Sequence, residues 1–327
     1  MQTSLTQRNA QGDTPLNARA PFHLEATVRV LQRRPANRTD IWEQDRYLRV
    51  FATADGLALV EVQNRGTITR PDVRFAIRSG NPAASARHGI ERTLRKVLGL
   101  DVDPEPFQRL AAAEPMLRAM ALALRGMRPP RFGDLFEAFA SVVPFQQLSL
   151  EAGVAIVGQL VERFGEPLEH GGRRFHAFPT ARAVAEIHPT ALRACGLSSR
   201  KAETLRHLAR VIESGELDEE RITRMTTKDA LQTLRELPGI GSWSAGLVLL
   251  RGFGRLDVFP PGDVGATRGL SVLMHLEPGA PLGRVVERFG DLRGYLYFCA
   301  LGASLMQKGL IHAASSRPPH RSYSGSA

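Results

Sequence analysis

A short proline- and glycine-containing run constrains the fold of this chain more than any other feature. Leu237–Gly241, with the sequence LPGIG, separates two segments whose apolar residues recur at helical spacing. Pro238 ends the first helix, and Gly239 and Gly241 allow a tight turn before a second helix that begins at Ser242. The run therefore predicts two helices joined by a compact hairpin.

This hairpin predicts a surface that binds phosphate. Free backbone N–H groups at the start of the second helix bind phosphate oxygens without reading base sequence. Glycine allows close approach because it has no Cβ, and Ile240 would pack between the two helices. The residues expected to contact DNA are Gly239, Ile240, Gly241, Ser242 and Ser244. An ordinary glycine-rich connection between helices is the alternative for such a run taken alone.

A carboxylate follows the hairpin. The segment Asp257–Asp263, DVFPPGD, ends with Asp263 at the expected N-cap of the next helix. An anion fixed in a cleft stabilises the oxocarbenium-like sugar of N-glycosidic cleavage, and it can orient or deprotonate the attacking water. Simple helix capping is the alternative, and both roles can hold together. Asp257 is a rival, but its position before Val-Phe-Pro favours a local cap or pair.

Charge and cysteine content narrow the class of protein. The 43 Lys and Arg residues exceed the 33 Asp and Glu residues to give a net charge of +10, which favours a polyanionic partner such as nucleic acid. A basic surface without a partner is the alternative. Cys195 and Cys299 form no Cys-x-x-Cys pair, which argues against a zinc ribbon or an iron–sulfur cluster. No apolar run reaches membrane-spanning length and the N-terminus is polar, so we expect a cytoplasmic protein that does not enter a membrane.

The residue pattern changes near residue 103 and predicts two domains. Residues 21–103 predict a small α+β domain, with strands at His23–Leu31, Tyr47–Ala54, Leu57–Val62 and Val73–Ile77 and a basic helix at Ala84–Leu98. Asp55-Gly56 is a typical hairpin turn between two of these strands. Residues 104–314 predict an all-α domain. Residues 1–20 and 315–327 are polar and predict disordered tails.

The motifs in combination resemble a known superfamily. Leu237–Gly241, Trp243 and the block Phe259–Asp263, FPPGD, are similar to the helix-hairpin-helix superfamily of DNA glycosylases. Within it, the chain most resembles the bacterial 3-methyladenine DNA glycosylase II family, and the similarity extends over about residues 21–312. The resemblance implies a helix-hairpin-helix glycosylase fold behind an α+β domain similar to half of a TATA-binding protein.

The resemblance also implies a function. It implies a base excision repair enzyme that hydrolyses the N-glycosidic bond of damaged, alkylated bases in duplex DNA. Such an enzyme acts as a monomer on nucleoid DNA in a bacterial-type cytoplasm and needs no cofactor for catalysis. Asp263 would be its catalytic carboxylate. A helix-hairpin-helix module that binds DNA lesions without catalysis remains an alternative.

Residues near Asp263 carry further implications. Lyase-competent relatives have a lysine where this chain has Trp243, so no Schiff base would form and water would be the nucleophile. Trp243 would instead stack on the extruded base. The other positions that match the pocket of the family are Leu247, Val264 and Leu301. Because they replace aromatic residues, a glycosylase for oxidised or deaminated bases is the alternative.

Two more roles follow from the resemblance. A DNA wedge is expected at Gln146, Gln147 and Leu148, with Gln147 at the intercalating position and Leu148 as the apolar alternative. A buried helix start is the other interpretation of this turn. A structural monovalent cation is expected on the backbone carbonyls of Arg235, Leu237 and Ile240, where a helix C-terminus carries negative partial charge. Water is the alternative partner of these carbonyls.

Overall fold

The computed structural model describes residues 13–275 and 282–312, in which an antiparallel sheet precedes a largely helical region. The strands of the sheet are β1 (Thr14–Pro15), β2 (Ile41–Glu43), β3 (Arg46–Thr53), β4 (Gly56–Asn64) and β5 (Val73–Ser79). They pair in the order β1-β5-β4-β3-β2. Two helices accompany the sheet, α1 (Leu24–Gln32) and α2 (Ala84–Val97). The predicted α+β domain is confirmed in this coarse form.

The tight turn of the sheet lies where the sequence predicts it. β3 and β4 pair in antiparallel register from Tyr47 opposite Val62 to Thr53 opposite Gly56. Gly56 has a φ of 111°, a conformation that a residue with a Cβ rarely adopts. The helix α2 also forms as predicted, because Ile90, Leu94 and Val97 line one buried face.

One predicted strand is wrong, because the segment His23–Leu31 forms the helix α1. The His23 ring caps this helix by accepting a hydrogen bond from the Ala26 N–H at 3.3 Å. Val28 faces the core beneath the sheet, whereas Ala26 and Val30 face the core of the helical region. A helix buried on two sides has apolar residues on both faces. Some of them are therefore two positions apart in sequence, which is the spacing expected of a strand.

The predicted N-terminal disorder is also wrong for residues 13–20. In β1, Thr14 pairs with Phe75 and Pro15 with Arg74 of β5. The next residue, Leu16, is buried in the core of the sheet. A two-residue edge strand leaves almost no periodic signal in a polar segment. Residues 1–12 and the predicted tail at 315–327 lie outside the described residues.

The second region consists mainly of helices, which pack around the large core. They are α3 (Glu105–Ala113), α4 (Pro115–Ala123), α5 (Leu135–Ala140), α6 (Leu150–Phe164), α7 (Ala181–Glu186), α8 (Pro189–Arg193), α9 (Ser199–Glu213), α10 (Glu219–Arg224), α11 (Thr227–Glu236), α12 (Ser242–Val248), α13 (Val264–Leu273), α14 (Leu282–Glu287) and α15 (Arg293–Gln307). A π-helical turn at Leu249–Phe253 continues α12, and two 3₁₀ turns lie at Val143–Phe145 and Gly290–Leu292.

The all-α prediction for this region is wrong in one detail. Two short strands, β6 (Pro167–His170) and β7 (Arg173–His176), form an antiparallel hairpin. Leu168 and Phe175 pack on Leu48 and Val50 of the N-terminal sheet, so the hairpin joins the two regions. Only two of its apolar side chains are buried, which left too short an alternation to indicate a strand.

Buried charges also join the two regions. Arg49 in β3 forms ion pairs with Asp40 and with Glu137 in α5, and all three side chains are almost completely buried. Arg128 is fully buried and donates to the carbonyls of Pro21 and Arg19, each at 2.8 Å. The two regions therefore form one body with shared contacts. Within residues 13–275 and 282–312, no helix is both long and apolar enough to cross a membrane.

Candidate active site

The predicted hairpin forms between α11 and α12. The first helix ends at Glu236, and the Ile240 N–H donates to the Leu237 carbonyl at 3.1 Å to close the turn. The Ile240 side chain is buried in the large core, as expected for a residue between the two helices. The N-cap position of α12 is Gly241, which has no side chain to occupy the free N–H groups of the first turn. These N–H groups remain available to an external anion.

The two hairpin glycines have different structural roles. Gly239 has a φ of 81°, and a Cβ added there would lie 2.3 Å from Oγ1 of Thr204. The fold itself therefore requires glycine at this position. Gly241 has a negative φ of −90°, and a Cβ there would meet nothing within 4 Å. The fold therefore does not require glycine at position 241. The space that a Cβ would fill there stays open to a molecule that binds the hairpin from outside.

Asp263 lies at the N-cap of α13 and has a fixed orientation. Its Oδ1 accepts the Ala266 N–H at 2.8 Å, and its Oδ2 accepts the Trp243 indole N–H at 2.9 Å. Gly246 lies where α12 meets the Pro260-Pro261 loop. A Cβ added at this position would lie 2.9 Å from Pro261, so the close contact requires glycine. The close packing of this loop on α12 brings Asp263 next to Trp243. Asp263 is only 9% exposed, so a desolvated carboxylate faces the cleft.

This cleft brings together the residues that the sequence assigned to the pocket. Trp243, Leu247, Val264 and Leu301 all line it with Asp263, and its volume is about 810 Å³. The four contribute unequally, because Leu247 is buried whereas Val264 is 79% exposed at the rim. Apart from Trp243, these positions offer only aliphatic surface. Trp243 also has a role that the sequence did not indicate, since its N–H orients the carboxylate.

The predicted wedge residues form a loop at the mouth of the cleft. Gln147 has a positive φ of 56°, and Leu148 is 44% exposed beside it. Gln146 differs, because its side-chain amide donates to the Gly239 carbonyl and the Ser244 hydroxyl, both at 2.9 Å. The Gln146 side chain thus ties the loop to the hairpin and does not project from it. The Ser244 hydroxyl is buried by the same contact.

Lys201 in α9 fixes the loop from the other side. Its Nζ donates to the Gln146 carbonyl at 2.6 Å and to the Pro144 carbonyl at 3.0 Å. Partial burial lowers the pKa of this amine below its usual range. The sequence gave no sign of this role, because the contact joins residues that are more than fifty positions apart. A lysine therefore lines the cleft, with its donors directed to backbone carbonyls.

Three other polar residues of the cleft were also missed. They are Arg33 at the end of α1, Arg251 in the π-helical turn and Tyr297 in α15. The Arg33 guanidinium donates to the Tyr297 hydroxyl at 2.6 Å. None of the three belongs to a recognisable motif, since their proximity depends on the packing of α1 against α15. The N-terminal region thus supplies one side chain to the cleft.

The carbonyls predicted to hold a cation lie where the helix dipole is negative. Arg235 is in the last turn of α11, and Leu237 follows the end of that helix. The Leu237 carbonyl accepts the Ile240 N–H, which leaves one lone pair for another partner. Three neutral carbonyl oxygens would supply part of the coordination shell of a monovalent ion without adding charge.

Two family models match the chain in succession. Residues 14–134 match the AlkA N-terminal domain, and residues 140–288 match a model described as HhH-GPD superfamily base excision DNA repair protein. The first match covers the sheet with its helices and the second covers the hairpin, Trp243 and Asp263. The boundary between the models lies within α5.

Individual relatives agree with these matches. A DNA-3-methyladenine glycosylase of Bacillus subtilis is 34% identical over 201 residues, which are 62% of this chain and 66% of the relative. DNA-3-methyladenine glycosylase 2 of Escherichia coli is 31% identical over 194 residues, 57% of this chain and 60% of the relative. These alignments leave about a third or more of each relative unmatched.

A solved structure matches over nearly the whole fold. The 3-methyladenine DNA glycosylase from Archaeoglobus fulgidus has a TM-score of 0.73 and 26% identity, and the match covers 90% of this chain and 99% of that one. Sequence, family models and fold therefore lead to the same assignment. The chain belongs to the helix-hairpin-helix superfamily of base excision DNA repair proteins, close to the AlkA family.

Proposed function

We propose that this protein is a monofunctional DNA glycosylase that hydrolyses the N-glycosidic bond of alkylated bases in duplex DNA. The observation that carries the proposal is the Asp263 carboxylate, buried in a cleft beside the hairpin and oriented by two N–H donors. The names of the relatives from Bacillus subtilis and Escherichia coli support the substrate class. The enzyme acts as a monomer on nucleoid DNA.

The hairpin and the wedge loop deliver the base to Asp263. The N–H groups that begin α12 hold a backbone phosphate, and Gly241 lets the strand approach closely. Leu148 and Gln147 enter the base stack and the damaged base rotates into the cleft. Because the Gln146 amide and Lys201 brace this loop, the wedge is rigid when it meets the duplex.

Chemistry at the sugar requires only the carboxylate and water. As the bond from C1′ to the base lengthens, the negative charge of Asp263 stabilises the developing oxocarbenium ion. The base leaves with the electron pair of that bond, a water oxygen adds to C1′, and Asp263 accepts the proton that the water loses. Trp243 occupies the position of a lyase lysine, and Lys201 is bound to two carbonyls. The product is therefore an intact abasic site.

A monovalent cation would strengthen the phosphate contact. The backbone carbonyls of Arg235, Leu237 and Ile240 would hold it, and it would supply positive charge to a DNA phosphate next to the hairpin. It has no part in bond cleavage. Replacing K⁺ by the bulky tetramethylammonium ion at constant ionic strength should weaken DNA binding, measured by fluorescence anisotropy, and leave the single-turnover rate of bound DNA unchanged.

A panel of duplexes tests the proposal. Each duplex carries one defined alkylated, oxidised or deaminated base, and released base is measured directly. We expect release of at least one alkylated base, strand breakage only after alkali, and no covalent trapping by borohydride. Tight binding of lesions without release of any base would favour a non-catalytic module. Trapping by borohydride would instead favour a glycosylase with lyase activity.

A further inference from the structure

The helix α6 carries the wedge loop at its N-terminal end. Gln147 and Leu148 directly precede Ser149, the N-cap of this helix. Unstacking a base costs free energy, and the wedge must supply it as the base leaves the duplex. The wedge can therefore extrude a base only if a displacement of α6 costs more free energy than the unstacking. A support behind α6 would meet this requirement.

A segment of the N-terminal region lies along α6. We call residues 33–38, which connect α1 to β2, the clamp loop. Arg34 pairs with Glu151 in the first turn of α6 at 2.8 Å. Arg38 pairs with Glu162 in the last turn of α6 at 2.5 Å. The clamp loop thus contacts both ends of the helix that carries the wedge.

The closest approach between the clamp loop and α6 is at Gly158, in the middle of the helix. A Cβ added to this buried glycine would lie 2.8 Å from the carbonyl oxygen of Ala36. A backbone carbonyl cannot turn aside as the end of a side chain can, so this contact requires glycine. Glycine also weakens a helix interior relative to alanine. The sequence therefore has the less favourable helix residue at the point where α6 meets the clamp loop.

Arg33 extends the clamp loop to the base of the wedge. Its guanidinium carbon lies 5.8 Å from the centre of the ring of Phe145, which directly precedes the wedge loop. The Phe145 ring packs on α6 at Gly153, where an added Cβ would overlap it. The Arg33 guanidinium is itself fixed, because it donates to the Tyr297 hydroxyl at 2.6 Å. The start of the wedge loop is thus held between α6 and the N-terminal region.

The sheet supports the C-terminal end of α6. Leu168 and Phe175, in the hairpin that follows α6, share a buried cluster with Val50 of β3. Val50 also forms a bridge with Ala177, and a Cβ added at Gly165, the C-cap of α6, would overlap the Ala177 carbonyl. These apolar contacts stabilise the position of α6 more than the two ion pairs do, because ion pairs exposed to water contribute little.

We propose that the N-terminal region holds α6 in place while the wedge loop extrudes the base, with Gly158 as a positioning residue. The inference rests on the proposed glycosylase function and adds a role for the N-terminal region. Asp263 and the phosphate-binding hairpin lie on other helices. Loosening the contact at Gly158 should therefore slow extrusion, and it should leave DNA affinity and bond hydrolysis almost unchanged.

Two duplexes separate extrusion from hydrolysis. Both carry the same alkylated base, the one that wild-type protein releases fastest from the panel of duplexes. In the first duplex this base faces its normal partner, and in the second it faces a tetrahydrofuran residue, which has no base. Extrusion costs less free energy in the second duplex because no base pair is broken. The ratio of the two single-turnover rates, paired over unpaired, measures how strongly release depends on the wedge.

Gly158→Ala tests the contact with the clamp loop. Its methyl group should push α6 away from the Ala36 carbonyl and reduce the ratio about fivefold or more, with little change in DNA affinity measured by anisotropy. Gly89→Ala is the matched control, because Gly89 lies inside α2 and a Cβ there meets nothing within 4 Å. Both substitutions raise helix propensity equally, and Gly89→Ala should leave the ratio unchanged.

A charge reversal tests the same support without changing a glycine. Arg38→Glu places a like charge opposite Glu162 and should reduce the ratio about twofold, since the pair is partly exposed. Adding Glu162→Arg restores opposite charges and should restore the ratio. Thermal unfolding verifies that each variant is folded. If Gly158→Ala does not fold, the charge reversal and its rescue decide the question.

The outcomes distinguish the two proposals. A ratio that the folded variants leave unchanged, or an equal loss of rate on both duplexes, overturns the role of the clamp loop but keeps the glycosylase. Release of no alkylated base by the wild-type protein from any duplex overturns the glycosylase and with it the role of the clamp loop.

Discussion

At the scale of single residues, the proposed function depends on how Asp263 is held. A local sequence pattern predicted that Asp263 caps a helix, and the Ala266 N–H donates to it accordingly. The bond from the Trp243 indole joins residues twenty positions apart and could not be predicted from spacing. Arg33 and Tyr297 lie still further apart in sequence, so only the packed fold brings them to the cleft.

Trp243 makes a testable contribution through its N–H. Trp243→Phe keeps an aromatic ring in the cleft but removes the donor to Oδ2 of Asp263. We expect the single-turnover rate of base release to fall about tenfold or more, because a hydrogen bond to a charged group is lost. DNA affinity, measured by anisotropy, should change less than threefold, a difference of roughly 0.6 kcal/mol. An unchanged rate would show that the ring alone matters.

The hairpin glycines predict opposite outcomes for the same substitution. Gly241→Ala places a methyl group in open space, so the protein should keep its melting temperature and lose DNA affinity about tenfold or more. Gly239→Ala forces a Cβ against Thr204 at a positive φ and should lower the free energy of unfolding by about 1–3 kcal/mol. Anisotropy and thermal unfolding measure the two effects. Full DNA affinity in folded Gly241→Ala would contradict the phosphate-binding role.

At the scale of secondary structure, elements with one buried face were predictable. The bounds of α11 and α2 agree with their helical periodicity, and the β3–β4 hairpin follows from its Asp-Gly turn. Elements buried on two sides were not predictable, because their apolar pattern has no single period, as the helix α1 shows. The short β6–β7 hairpin was missed because so few of its residues are buried.

The wedge loop provides a prediction at this scale. Leu148→Ala should reduce base extrusion about fivefold or more, because the apolar group that fills the vacated space is lost. Fluorescence of a 2-aminopurine placed beside the lesion reports extrusion. Leu110→Ala is the matched control, since Leu110 is 41% exposed on α3 and Leu148 is 44% exposed. Equal extrusion by both variants would assign the wedge to Gln147 instead.

At the scale of the whole molecule, buried charges connect the two regions. Arg49 of the sheet pairs with Glu137 of the helical region. Burial raises the pKa of Glu137 from 4.5 to about 7, because desolvation of its carboxylate outweighs the attraction of Arg49. The sequence predicted both regions but not this contact, since it joins residues 88 positions apart. Such contacts pack the two regions, which match separate family models, into one structure.

This contact predicts a pH dependence of stability. A folded-state pKa above the unfolded one means that the folded protein binds the extra proton, so stability falls as pH rises from 4.5 to about 7. The contribution of Glu137 is at most about 3 kcal/mol over this range. Glu137→Gln should flatten the dependence, measured by urea unfolding at several pH values. A slope identical to that of the wild type would contradict the assignment.

The central claim is that Asp263 performs the chemistry, and base release by Asp263→Asn tests it most directly. Asparagine is a good N-cap, so α13 should persist and the melting temperature should change little. Asp257→Asn is the matched control, because it removes one carboxylate from the same loop. We predict that Asp263→Asn releases base at least about 100-fold more slowly at equal DNA affinity, and that Asp257→Asn retains the wild-type rate. Undiminished release by folded Asp263→Asn would contradict the account.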